Sequence, residues 1–302
     1  MHNLTTNYHK FFQIILTECV DLFPYQENSR RYRNLPKLSD AAIIALSLTA
    51  ESMGIDSENY FWKKLKNDCC SYFPSLINRC NYNRRRKQLT PLTTLINERL
   101  AAKMNKGEDV FIVDSIPIPV CKIVREKRSK VCKQHFETAP DKGFSAVSQS
   151  YYYGYKIYLV ASARGVFQSI DITKASVHDV RFLDEIKHSK LNNCILIGDK
   201  GYLSAHHQID LFATCNIHLK TPQRTNQLPN QSFLPFFRKS RKRIETLFSQ
   251  LCDQFMLKRN YAKSIAGLST RILAKITAVT FLQFFNIANN KPINHLKFAL
   301  AN

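Results

Sequence analysis

Two short apolar runs in this chain of 302 residues each close on an aspartate: Val110-Phe111-Ile112-Val113 leads to Asp114, and Cys194-Ile195-Leu196-Ile197-Gly198 leads to Asp199. A third acid, Glu245, follows a segment, Arg238 to Arg243, in which every residue but Ser240 is basic. In an open α/β sheet, functional groups gather beyond the carboxyl ends of neighbouring parallel strands. Adjacent strands would therefore bring Asp114 and Asp199 together. Carboxylates at close range repel unless a hard cation or a shared proton lies between them. Magnesium takes oxygen ligands and keeps several waters, so a few carboxylates can hold it against a phosphate. Two such ions about 3.5–4 Å apart activate water and stabilise the leaving oxygen of a phosphodiester. Glu245 sits beside a stripe of Ile244, Leu247, Phe248 and Leu251, whose i, i+3, i+4, i+7 spacing marks the buried face of a helix. That places it at the rim of whatever the helix covers. Each acid also has a plainer reading. An aspartate closing a strand is commonly a turn or cap residue, and Glu245 can pair with Arg241 one helical turn back. The combination of order, strand context and surrounding charge favours the chemical reading.

The elements that must hold these acids can be read in outline. Ser39 is placed to cap a helix from Asp40 that runs towards Gly54. A second helix is predicted from Glu58 to about Tyr72, and a third follows Pro91 with Leu92, Leu95, Ile96 and Leu100 on one face. Asn83-Arg84-Arg85-Arg86-Lys87 forms a basic run among them. This pattern predicts an all-helical domain over residues 1–106, either a helix-turn-helix-like DNA-binding module or a bundle with one solvated basic face. From residue 107 the periodicity changes. Strands are predicted at 110–113, 152–161, 166–173, 194–197 and 217–220, with helices at about 179–188 and 204–213 and a long one from Phe236. The order is β-β-β-α-β-α-β-α. Residues 118–149 carry Lys122, Arg125, Lys127, Arg128, Lys130 and Lys133 with little apolar pattern, which reads as a basic insertion. PQRTNQLPNQSFLP reads as a mobile loop. Residues 268–287 read as an apolar helix, of core or oligomer contact, within a second domain spanning 107–302.

Charge narrows the partner. Lys and Arg number 44 against 23 Asp and Glu, a net charge of +21. Such an excess is expected of a protein that meets a polyanion, since each phosphate neutralised releases a counterion. The carboxyl-terminal part from residue 107 is itself strongly basic. No run of 18 uninterrupted apolar residues occurs and the start has no charged segment followed by an apolar one, so a cytoplasmic protein without a membrane partner is expected. The nine cysteines are scattered, odd in number and lack a Cys-x2-Cys pair. Reduced thiols fit better than a zinc ribbon or disulfides, and Cys132 with His135 is at most half a metal site.

The strings VDSIPIPVC, GDKGY around Asp199 and RKRIETLFSQL resemble the three acidic motifs of bacterial DDE transposases, and among them the insertion-sequence 982 family. LSDAAIIALSLTAESMGID, NYNRRRKQL, YYYGYK, SVHD and LKRNYAKSIAGL resemble that family too, so the likeness covers nearly the whole chain. It implies a ribonuclease-H-like catalytic domain behind a helical DNA-binding region, with Asp114, Asp199 and Glu245 as the catalytic acids and metal ligands. It further implies Mg2+ or Mn2+ as cofactor, two ions per site, and double-stranded DNA as substrate: terminal inverted repeats are cleaved and their 3′ ends joined to target DNA. Bringing two ends together calls for a homodimer. Contacts to DNA are expected from Arg84, Arg85, Arg86, Lys87, Lys127, Arg128, Lys130, Lys200, Arg238, Arg241, Lys242 and Arg243. The related insertion-sequence 4 group carries Tyr-x2-Arg-x3-Glu-x6-Lys about its glutamate. Arg241 and Glu245 fit, but residue 238 is Arg and residue 252 is Cys, which leaves Lys258 or Arg259 as substitutes for the lysine. His178 and Asp179 are expected near the site, His178 as a helix-start residue or an outer neighbour of the ligands rather than a ligand itself. Two other readings use the same residues: a ribonuclease-H-like nuclease that hydrolyses without strand joining, and a DNA-binding protein that has lost catalysis.

Overall fold

The computed structural model describes residues 3–222 and 235–300. Its elements run α1 (Leu4–Glu18), α2 (Asp40–Ser52), α3 (Glu58–Asp68), α4 (Arg79–Gln88), α5 (Thr90–Met104), β1 (Val110–Cys121), β2 (Asp141–Ser145), β3 (Ser150–Ser162), β4 (Phe167–Lys174), α6 (Phe182–Ile186), β5 (Cys194–Ile197), α7 (Ala205–Cys215), β6 (Ile217–Lys220), α8 (Pro235–Asp253) and α9 (Ile265–Ala288), with short 3-10 turns between. They fall into two compact units: Met1–Met104 with Leu251–Asn302, and Asn105–Gln250. The sequence division at residue 106 assigned the last apolar helix to the second domain. That helix, α9, groups instead with the amino-terminal helices.

The helical unit is organised around α2. Its sequence, DAAIIALSLTAES, is small or apolar almost all round, and all thirteen residues are buried. The Ser39 side chain accepts from Ala42 N and starts the helix where expected. Helices α1 and α9 pack on α2, and α9 also packs on α5. On α5 the buried positions are Thr93, Ile96, Asn97, Leu100, Ala101 and Met104. The predicted face was rotated, and Leu95 is 49% exposed. Polar groups pair inside this unit: Thr280 Oγ1 donates to Asn97 Oδ1 at 2.8 Å, and Thr90 bonds Thr270 at 2.7 Å. At its centre the buried Glu51 carboxylate meets Arg86 at 2.7 Å, Arg271 at 3.1 Å and Lys275. Burial would raise the Glu51 pKa, but the three cations outweigh it and hold the group at about 2. Lys275 is lowered, first by burial and then by its neighbours Arg271 and Arg86, against the pull of Glu51. Among the described residues one helix, α9, is long and apolar enough to cross a membrane, and 72% of its apolar window is buried inside the protein. It is the core helix of this unit.

The sheet unit holds one mixed sheet in the order β2-β3-β1-β5-β6, with β4 also on β3. β1, β3 and β4 are antiparallel neighbours, whereas β1, β5 and β6 run parallel. This is compatible with the expected ribonuclease-H-like arrangement. One face packs Phe111, Val113, Tyr158 and Leu196 against Phe182, Leu183 and Leu211, and the Tyr158 and Phe182 rings stack at 4.5 Å.

Three sequence expectations need correction here. β1 does not stop near Val113 but continues to Cys121 through Pro117 and Pro119. β5 pairs only with Val110 to Ile112, so beyond that point one edge of β1 is open, and prolines are tolerated on an open edge. The stretch read as an insertion from residue 118 thus begins inside a strand, and it contains a further strand, β2. Second, the helix expected at 179–188 is a 3-10 turn, Asp179–Arg181, followed by the single turn of α6. Third, the helix from Glu58 ends at Asp68, where the backbone N–H of Cys69 bonds Leu65 O. The polar loop PQRTNQLPNQSFLP lies almost wholly at residues 223–234, outside the described residues.

Candidate active site

The register of β1 and β5 fixes the first two acids. Ile112 is opposite Ile197; two residues further on stand Asp114, still within β1, and Asp199, just past the end of β5, where it caps the Lys200–Tyr202 turn. The charge of Asp199 reaches Asp114. Burial raises the Asp114 pKa to about 7; the Ser115 backbone N–H lowers it, Asp199 raises it, Arg241 lowers it and Asp179 raises it. Asp114 accepts from Ser115 N at 2.7 Å, and Asp199 accepts from Gly201 N at 2.8 Å.

Glu245 behaves differently. Ile244, Leu247 and Leu251 are buried as the helical stripe requires, and Glu245 lies on the exposed side, its side chain 59% accessible. Its carboxylate stands 3.9 Å from Arg241 Nη2. Among the described residues no three His, Cys, Asp or Glu side chains lie close enough together to hold one metal ion. The structure therefore brings Asp114 and Asp199 to one place, with the charge of Arg241 beside them, and does not gather Glu245 to them. The Asp114–Asp199 pair suits a hard divalent cation: its donors are all oxygen, and its crowded negative charge is what such an ion relieves.

Asp179 belongs to the same neighbourhood. Its Oδ1 accepts from Ser115 Oγ at 3.2 Å, Lys156 Nζ at 2.9 Å and Tyr158 OH at 3.0 Å. The preceding His178 is exposed and starts the 3-10 turn, as expected. Tyr202, three residues after Asp199, is fully buried. Its pKa is pushed well up, first by burial and then by the charges of Asp179, Asp114 and Asp199, and its hydroxyl finds no hydrogen-bond partner among the described residues. Sequence reasoning missed Ser115, Lys156, Tyr158 and Tyr202. The signal was present all the same, because VDSIPIPVC, YYYGYK, SVHD and GDKGY each contribute a residue here.

The basic residues divide. Lys127, Arg128, Lys130, Lys200, Arg238, Lys242 and Arg243 are exposed and Arg241 half-buried in the sheet unit, while Arg84 is exposed and Lys87 half-buried on α4. Arg85 and Arg86 are engaged elsewhere. Arg85 donates to Leu38 O and to the buried Asp40 carboxylate at 2.6 Å. Arg86 is 4% exposed and bonded to Glu51 and Glu58, which removes it from any DNA-contacting surface. Of the proposed lysine substitutes, Lys258 is exposed and Arg259 stands 4.0 Å from Asp56, both within the helical unit. All nine cysteines are free thiols.

No curated protein and no solved structure matches the chain. Residues 105–281 match a family described as transposase DDE domain.

Proposed function

We propose, on the premise that the chain belongs to the transposase DDE domain family, that this transposase cleaves the terminal inverted repeats of its own mobile element and joins the freed 3′ ends to target DNA. The observation that carries the reading is the parallel register of β1 and β5, which sets Asp114 and Asp199 each two residues beyond one paired position. The string likeness to the insertion-sequence 982 family supports the finer family placement.

Asp114 and Asp199 would hold the divalent ions, Mg2+ or Mn2+, with Glu245 joining from α8 when DNA is bound. Bound there, two such ions supply Lewis-acid polarisation of the phosphodiester and neutralise its developing charge. The chain's own residues orient the strands. Arg241, next to Glu245 and within electrostatic reach of Asp114, offers a planar guanidinium to a phosphate near the scissile bond. Lys127, Arg128, Lys130, Lys200, Arg238, Lys242 and Arg243 meet the duplex backbone, and Arg84 and Lys87 do so from the helical unit. Backbone contacts of this kind position DNA without reading its sequence. Glu245 either ligates an ion or orients the attacking water. Two ends handled together call for a homodimer.

The test uses the full chain with intact and precut element ends, plasmid and Mg2+. Asp114→Asn and Asp199→Asn should each abolish cleavage and joining while end binding persists. Plasmid-joined products support a transposase, whereas nicking alone supports a nuclease. Loss of folding and binding in both variants would show that the acids are structural.

A further inference from the structure

Asp179 has a divided carboxylate. One oxygen, Oδ1, takes all three side-chain hydrogen bonds, from Ser115, Lys156 and Tyr158. The other, Oδ2, points elsewhere. A methyl group placed on Gly201 would lie 3.0 Å from Asp199 Oδ1 and 3.1 Å from Asp179 Oδ2. The two oxygens thus flank one small space, kept open by the absence of a side chain at residue 201. The Tyr202 hydroxyl is buried, unpartnered among the described residues and within electrostatic reach of Asp179, Asp114 and Asp199. A buried donor without an acceptor costs about 1–3 kcal/mol, and it is expected where a ligand or ordered water completes the bonding.

Resting on the metal-dependent reading above, we propose that Asp179 is a third carboxylate of the ion site. Its Oδ2 joins Asp199 in holding a divalent cation by accepting a hydrogen bond from one of the ion's bound waters, and the Tyr202 hydroxyl completes its bonding in the same shell. Mg2+ and Mn2+ retain waters that donate hydrogen bonds to outer carboxylates, and outer partners of a metal site change affinity by roughly 10–100-fold when removed. Ser115, Lys156 and Tyr158 give the carboxylate its orientation. This arrangement supplies, from the turn after β4, the carboxylate that the exposed Glu245 does not supply in the structure.

The test is calorimetric titration of Mn2+ alone into the full chain, with circular dichroism reporting the fold. Wild type should bind, Asp114→Asn should lose binding, and Asp179→Asn should bind about tenfold more weakly. Asp184→Asn, an exposed acid paired with Lys187, should match wild type. If Asp114→Asn weakens binding but a folded Asp179→Asn does not, this proposal alone fails. If Asp114→Asn has no effect, the reading it rests on fails with it. Should Asp179→Asn not fold, Gly201→Ala decides, because it fills the space between the two oxygens and removes no ligand: weaker Mn2+ binding supports the proposal and wild-type affinity overturns it.

Discussion

Arg241 on α8 stands near enough to Asp114 on β1 for its charge to oppose the burial that lifts the Asp114 carboxyl to about 7. The same guanidinium lies 3.9 Å from Glu245. A cation that pairs with one acid and is felt by another on a different element is a natural seat for a phosphate, and it gives the acid on β1 a measurable dependence on α8.

Removing that charge should move Asp114 in one direction. Burial and Asp199 would then act without the opposition of Arg241, so in Arg241→Gln the carboxyl titrates at higher pH than in wild type. Carbon-13 NMR of the metal-free protein reads this directly. An unchanged midpoint would mean that α8 does not approach β1.

The exposed basic residues should account for the salt dependence of DNA binding. Replacing Lys127, Arg128 and Lys130 by Ala removes up to three phosphate contacts, each worth about 0.9 in the slope of log affinity against log salt. Fluorescence anisotropy at several salt concentrations should show the slope falling by about 2–3. Arg86→Ala should instead lower the thermal midpoint, because it strips a partner from the buried Glu51.

Glu51 makes the helical unit acid-sensitive. An ordinary glutamate titrates near 4.5, and in the fold this one titrates at about 2. Its stabilisation is therefore complete above about pH 4.5 and is lost as pH falls towards 2. The difference is worth on the order of 3 kcal/mol. Glu51→Gln should lower stability at pH 7 by roughly 3–5 kcal/mol, since it leaves three cations buried around a neutral group. It should also flatten the decline of the melting temperature between pH 5 and 2. A variant that melted like wild type at pH 7 would show that the cluster contributes nothing net.

Gly154 should tolerate no side chain. It pairs with Pro119 across the β1–β3 ladder, and an added methyl would meet Ile118 O at 2.1 Å. Gly154→Ala must part the two strands where β1 bulges, at a cost of about 1–3 kcal/mol or more, visible as a lower melting temperature. Wild-type stability in this variant would contradict the close approach.

Much of the sheet was legible because strands buried on both faces are written as unbroken apolar runs, and those of β1 and β5 each lead to their acid. The Ser39 cap and the stripe of α8 were legible for similar local reasons. Pro117 and Pro119 hid the second half of β1, since nothing local says that an edge is open. The strand β2, DKGFS, has no run to find and exists only because β3 offers a partner. Arg86 misled for a related reason. A basic run looks alike whether its members face solvent or a carboxylate 35 positions away, and only the packing of α2 against α4 separates Arg84 from Arg86. Asp179 was foreseen as a neighbour, but its hold on Ser115, Lys156 and Tyr158 depends on the pairing of β1 with β3.

The helical unit draws on both ends of the chain, and this sets an order of events during synthesis. When α1 to α5 leave the ribosome, α2 lacks the helix that covers it, and Glu51 has Arg86 for company but neither Arg271 nor Lys275. The sheet unit, by contrast, is one continuous stretch and can close while the remainder is still being translated. The first segment to emerge is thus among the last to mature. A nascent chain stalled before α9 would hold a finished sheet beside a sticky, half-built helical cluster, a natural client for a chaperone.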